Sequence, residues 1–164
     1  MSTKAPAETP GPPSGASMDL SELLGYRLNR LSMAIGQLAD QDAAEVAGLT
    51  LPEYRVTVIL MSQGPMGVAG LQQAMLIDKA WVSRTLTRLV DKGIAVSAAD
   101  QWDGRRTTFR LTPKGRKAAS ALIATARKRQ QKILRGLSDK ERVALTSLLG
   151  RVQLNVDAIG RDRE

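Results

Sequence analysis

The stretch from residue 67 to residue 112 constrains this chain most, because helical and strand periodicities follow one another there at short, punctuated intervals. Val68, Leu71 and Met75 fall on one face of a short helix spanning Gly67 to Leu76. Asp78 has the residue type of an N-cap, and Val82, Leu86 and Leu89 then recur at i, i+4 and i+7, the inner face of a second helix that Lys92-Gly93 closes. Ile94 to Ala98 and Thr107 to Leu111 read as short strands around the polar run Gln101-Trp102-Asp103-Gly104-Arg105-Arg106, in which the Asp-Gly pair favours a turn. Two helices with a tight joint and a hairpin cannot bury their own apolar faces, so the flanking segments must supply the rest of a core.

Those segments are helical. Thr50 with Glu53 is a capping-box signal ahead of the apolar run Val56, Val58, Ile59, Leu60, Met61, which Gly64-Pro65 stops. Upstream, Asp19 with Glu22 opens a helix whose Leu20, Leu24, Leu31, Ile35 and Leu38 keep a period near 3.6 and which is expected to run to about Asp40. Residues 1–17 hold four of the seven prolines and no apolar periodicity, and are expected to form a disordered tail. Downstream, Thr112-Pro113 starts a helix running to about Leu137, and Ser138 with Glu141 starts a last one striped by Val143, Leu148, Leu149, Val152, Val156 and Ile159. The terminal helices carry more apolar surface than a small central unit can cover, so they are expected to pair with a second copy. The fold class is mostly α with a small β-hairpin wing: a dimerisation helix over 18–48, a DNA-binding lobe over 49–112, and dimerisation helices over 113–164.

Composition then removes most chemistry. The 164 residues include no Cys and no His, so thiolate nucleophiles, imidazole bases and nearly all transition-metal sites are excluded, and neither a metal nor a cofactor is expected. Scattered Asp, Glu, Lys and Ser with no Gly-rich phosphate loop and no G-x-S-x-G elbow argue against an enzyme. The net charge of +8 points to a polyanion, and its distribution is uneven: residues 79–117 hold 10 basic against 3 acidic side chains, whereas residues 1–50 hold 3 against 6. On the helix after Asp78 the residues opposite the apolar stripe are Lys79, Ala80, Ser83, Arg84, Thr87 and Arg88. Arg offers a bidentate fork to guanine or phosphate, Ser and Thr bond either, and Ala80 suits a thymine methyl. At the hairpin tip Arg105 and Arg106 suit the negative potential of a narrow minor groove, with Asp103 placed to orient Arg105. Trp102 is either a backbone contact or a prop for the wing. Together these elements make a winged helix-turn-helix whose partner is double-stranded DNA.

The run Leu51-Pro52-Glu53-Tyr54-Arg55, then Lys79-Ala80-Trp81-Val82-Ser83-Arg84 through Leu89 to Lys92-Gly93, then Asp103-Gly104-Arg105 with Leu111-Thr112-Pro113-Lys114-Gly115, strongly resembles the MarR family of bacterial transcription regulators. The most specific piece is D-x-R followed after five residues by L-T, here Asp103, Arg105, Leu111 and Thr112, and the resemblance covers nearly the whole chain from about Asp19. It implies a homodimer with interlocked terminal helices that reads a pseudo-palindromic operator, usually as a repressor released by a small ligand. It places Ser83 and Arg84 on the recognition helix and Arg105 at the wing tip. The chain departs from many relatives in carrying Val96-Ser97-Ala98-Ala99 where they carry basic residues, which shifts the expected backbone contacts to Arg105, Arg106 and Arg110.

Without Cys or His, release by oxidants or zinc is closed, and a small organic effector remains. By the resemblance its pocket lies between the dimerisation helices and the DNA lobe, with Tyr26, Arg30, Met33 and Trp81 as candidate lining. An Arg beside aromatic side chains suits an aromatic carboxylate or its CoA thioester. Arg55 reads as structural, with a carboxylate partner. Two other binding readings compete. The basic C-terminal half would also serve a non-specific nucleic-acid or chromosome-architectural binder, whereas a membrane surface could use Arg127-Lys128-Arg129 with Lys132 but is not expected as a partner, because those residues lie on a helix better explained as dimer-forming with a solvated face. No apolar run reaches the length of a membrane span and no secretory leader is evident, so the expected location is the cytoplasm, on the nucleoid.

Overall fold

The computed structural model describes residues 22–99 and 107–161; the expected tail over 1–17 and the Asp19 cap lie outside them. In chain order the elements are α1 (Leu24–Ala47), α2 (Leu51–Gln63), α3 (Val68–Met75), α4 (Lys79–Asp91), β1 (Ala95–Ala99), β2 (Thr107–Leu111), α5 (Pro113–Ile133) and α6 (Asp139–Arg161). The chain divides into two compact units, Met1–Gln37 and Leu38–Glu164. The second carries the core.

The start signals of α2, α4, α5 and α6 each have a physical counterpart, whereas α1 begins at Leu24, later than the expected start after Asp19, with Leu23 just before it outside the helix. Thr50 and Glu53 form the reciprocal capping box of α2, with the Thr50 N–H donating to Glu53 Oε2 at 2.9 Å. The Asp78 side chain caps α4, Thr112 caps α5 through the Gly115 N–H at 3.0 Å, and Ser138 and Glu141 bond reciprocally at the start of α6. α1 continues to Ala47, past the expected end near Asp40, because Ala43 is fully buried in the core and an Ala-rich turn costs a helix little. Gly48, at φ +62°, then turns the chain, and the Asp40 carboxylate accepts the Leu51 N–H at 2.6 Å, a second tie on the start of α2. α5 stops at Ile133 rather than near Leu137; Leu134 closes it and Gly136, at φ +86°, makes the turn into α6.

The core is a single cluster in which Val56 and Leu60 of α2, Leu71 of α3, Val82, Leu86 and Leu89 of α4, and Ala119 and Leu122 of α5 meet Ile94, Ala95 and Leu111 at the base of the hairpin. Each large side chain buried this way contributes about 1.5–3 kcal/mol by transfer from water. β1 and β2 pair antiparallel with Ala95 opposite Leu111 and Ala99 opposite Thr107. Met66 adds a bridge not expected from sequence, exchanging backbone hydrogen bonds with Phe109 at 3.2 and 2.9 Å and so fastening the turn before α3 to β2. Tight closure at the other end of the hairpin requires Gly115: a Cβ there would lie 2.0 Å from the Ile94 carbonyl oxygen.

Candidate nucleic-acid interface

Three elements set the position of α4. Asp78 Oδ1 accepts the Trp81 N–H at 2.9 Å and fixes where the helix begins. Val82, Leu86 and Leu89 are buried as their spacing demands, and Thr85 is buried beside them with its hydroxyl donating to the Trp81 carbonyl at 3.0 Å. The sequence reading had left out Thr85, which a hydroxyl bonded within its own helix makes compatible with a core face. Lys79, Ala80, Ser83, Arg84, Thr87 and Arg88 are all exposed on the opposite side. The Thr87 hydroxyl donates to the Ser83 carbonyl at 3.1 Å, so its oxygen remains able to accept.

One functional neighbour lies outside α4. Glu53, which sequence reasoning treated only as a cap, is 1 % exposed, and its Oε2 accepts both the Thr50 N–H and Lys92 Nζ, the latter at 2.7 Å. Lys92 Nζ also donates to the Gly48 carbonyl at 3.0 Å, so the end of α4 is pinned to both α2 and the α1–α2 turn. Arg88 Nε stands 3.8 Å from the other Glu53 oxygen, which is buried and accepts no hydrogen bond from the described residues. Burial alone pushes the Glu53 carboxyl up, but the Lys92 bond and charge and the Thr50 bonds together hold it below its ordinary value of 4.5. It is a carboxylate at neutral pH. The sequence signal that could have found this arrangement is Glu53 as a capping residue on a helix facing two cations one turn apart, Arg88 and Lys92.

The wing-tip candidates Asp103, Arg105 and Arg106, with Trp102, lie outside the described residues. Arg110 of β2 is exposed opposite Val96, on the strand pair that leads to that tip. Of the effector candidates, Tyr26, Arg30 and Met33 belong to the amino-terminal unit, where Arg30 lies 5.9 Å from the Tyr26 ring centroid and Met33 is exposed. Trp81 belongs to the other unit, half-buried against the core.

A groove of about 330 Å³, which the sequence reading did not locate, lies between α2 and the α3–α4 joint, lined by Tyr54, Arg55, Val58, Ile59, Ala74, Met75 and Ile77. Arg55 is exposed at this groove and has no carboxylate partner among the described residues, contrary to the expectation from sequence. The arginine–carboxylate pair of this region is instead Arg129 of α5 with Asp42 of α1, and Arg129 Nη2 also donates to the Tyr54 hydroxyl at 3.3 Å. Among the described residues no cluster of acidic side chains could hold a metal ion, and no helix is long and apolar enough to cross a membrane.

Residues 49–107, which contain α2 to β1, match the profile of the MarR family. A protein of Thauera aromatica described as a putative transcriptional regulatory protein for the hcr operon is 26% identical over 145 residues, covering 84% of this chain and 87% of that one. BpsR of Bordetella bronchiseptica, whose DNA binding is regulated by 6-hydroxynicotinic acid, is 28% identical with a TM-score of 0.70 over 81% of this chain and 94% of its own. The PcaV regulator of Streptomyces coelicolor, solved with its natural ligand, is 25% identical with a TM-score of 0.72 over 85% and 97%.

Proposed function

We propose that this chain is a transcriptional regulator of the MarR kind, a DNA-binding protein rather than an enzyme, and that it represses transcription as a homodimer on a pseudo-palindromic operator. The observation that carries this reading is the two-sidedness of α4: one face locked into the core, the other offering Lys79, Ala80, Ser83, Arg84, Thr87 and Arg88 together. Such a helix, held rigidly on its inner side, is what a major groove accepts. Asp103, Arg105 and Arg106 complete the reading as wing contacts to the adjacent minor groove. Dimerisation has its support in α6, which buries no residue and leaves Val143, Leu148, Leu149, Val156 and Ile159 exposed, and in Leu24, Leu31 and Met33 of α1, which are exposed as well. The cellular location that goes with this function is the cytoplasm, on the nucleoid.

The releasing ligand is a small aromatic effector, of the phenolic-acid or aryl-CoA type. Tyr26, Arg30, Met33 and Trp81 are its candidate contacts, and the groove beside Tyr54 and Arg55 supports the same class, with apolar walls for an arene and an exposed guanidinium for a carboxylate. Ile77, in its wall, immediately precedes the Asp78 cap of α4, so an occupant bears directly on the start of the recognition helix. BpsR, responsive to a hydroxylated nicotinic acid, is a relative of the same kind. The test is competition between the duplex upstream of the chain's own coding region and random duplex, repeated with a panel of aromatic acids and their CoA thioesters. Selective binding relieved by one compound is the expected result. Equal, strongly salt-dependent binding to both duplexes would replace the reading with an architectural one.

A further inference from the structure

Among the described residues Glu53 is the one ionisable side chain buried at the level of the apolar core. A capping box does not require this, since a glutamine serves the same cap and a buried carboxylate has to be compensated. Compensation comes entirely through Oε2, which holds the Thr50 N–H and Lys92 Nζ. Oε1 is left over, sealed from solvent and without a hydrogen bond, and what faces it is the Arg88 guanidinium, with Nε at 3.8 Å. Arg88 is itself half-exposed and stands one helical turn after Arg84 on the outer face of α4.

We propose that Glu53 is a positioning residue for DNA recognition: from α2 it holds Arg88 by its Nε edge and leaves the two terminal amino groups of the fork to the nucleic acid. The inference rests on the DNA-binding reading above. An arginine side chain free in solvent samples many rotamers, and fixing it before binding removes that ordering cost from the complex. The arrangement is also poised to tighten. Closing the 3.8 Å separation by about 1 Å brings Nε within hydrogen-bond distance of the unused oxygen, and the bond formed is charge-assisted. The Lys92 contact does the complementary task of fixing the helix end on which Arg88 rides.

The test compares the wild-type chain with Glu53→Gln, Arg88→Lys, Arg88→Ala and the double variant Glu53→Gln/Arg88→Ala on operator and random duplexes. Glu53→Gln keeps a cap oxygen but removes the charge, so the operator-to-random ratio should fall by about tenfold while random-duplex affinity holds or rises, one negative charge having left the protein beneath α4. Arg88→Lys, an exposed change that keeps the charge but lacks the fork, should lose a similar factor whether or not Glu53→Gln folds well. In the Arg88→Ala background the Glu53 change should alter the ratio by less than about twofold. Equal weakening of both duplexes by Glu53→Gln, persistence of its effect without Arg88, or wild-type selectivity in Arg88→Lys would each overturn the proposal. A readout without DNA separates its failure from that of the DNA reading: the Arg88 Nε–H resonance of the free protein should shift in Glu53→Gln, and an unchanged resonance overturns the proposal even if operator binding is established.

Discussion

Replacing Gly115 with alanine adds one methyl group where the hairpin meets the first turn of α5. That carbon would stand 2.0 Å from the Ile94 carbonyl oxygen, 3.0 Å from its carbon and 3.3 Å from Leu111 Cδ2. An ordinary contact needs well over 3 Å, so strand and helix must separate by about 1 Å or more, and both neighbours of closest approach are backbone. The same carbonyl accepts the Thr112 N–H at 3.0 Å, and the Thr112 hydroxyl donates to the Gly93 carbonyl at 2.7 Å; separation strains both. Two hydrogen bonds at about 1 kcal/mol each and an overpacking cost of about 1–3 kcal/mol outweigh the helix preference of alanine, which returns at most about 1 kcal/mol. The expected loss is about 2–4 kcal/mol of folding stability. Urea denaturation at one fixed chain concentration should show a lower midpoint with an unchanged slope. A variant within about 0.5 kcal/mol of wild type, or a more stable one, would refute the close-approach argument.

Arg84→Ala should weaken operator binding by about 1–3 kcal/mol and random-duplex binding by less if it reads a base, whereas equal losses in a titration of both would make it a phosphate contact. Leu148→Lys, at a position 55% exposed in the single chain, should shift the sedimentation equilibrium toward monomer without lowering helix content; a variant that remains dimeric would remove α6 from the interface. Because the folded Glu53 carboxyl lies below its ordinary value of 4.5, its contribution is complete above that pH and is lost as pH falls through the lowered folded value. Thermal melts should therefore drop on the acid side, and less steeply in Glu53→Gln; identical acid limbs would deny the linkage.

The sequence carried the local half of this structure well, since caps, periodicity and glycine stops act over a few residues. Thr50, Asp78, Thr112 and Ser138 each mark a helix start through a bond to a residue three positions on. The outward set on α4 followed from the same geometry, because three buried apolar residues fix the phase of the whole helix. What escaped was long-range. Arg129 and Asp42 are 87 residues apart and nothing in either neighbourhood announces the pair. The Met66–Phe109 bridge left no sequence pattern, since two backbone groups make it. Glu53 was legible as a cap but not as a buried ion, for its burial is decided by α4 and by Lys92, 39 positions away. The groove at Tyr54 and Ile77 likewise depends on how α2 meets the α3–α4 joint.

Selective reading of DNA by the outer face of α4 is tested most directly by a fluorescence titration of the purified chain on its upstream duplex and on random duplex of equal length, at physiological salt, with stoichiometry determined in the same experiment. Two chains per operator and a preference well above tenfold are predicted. Equal affinities, or one chain per site without saturation at a defined length, would contradict it.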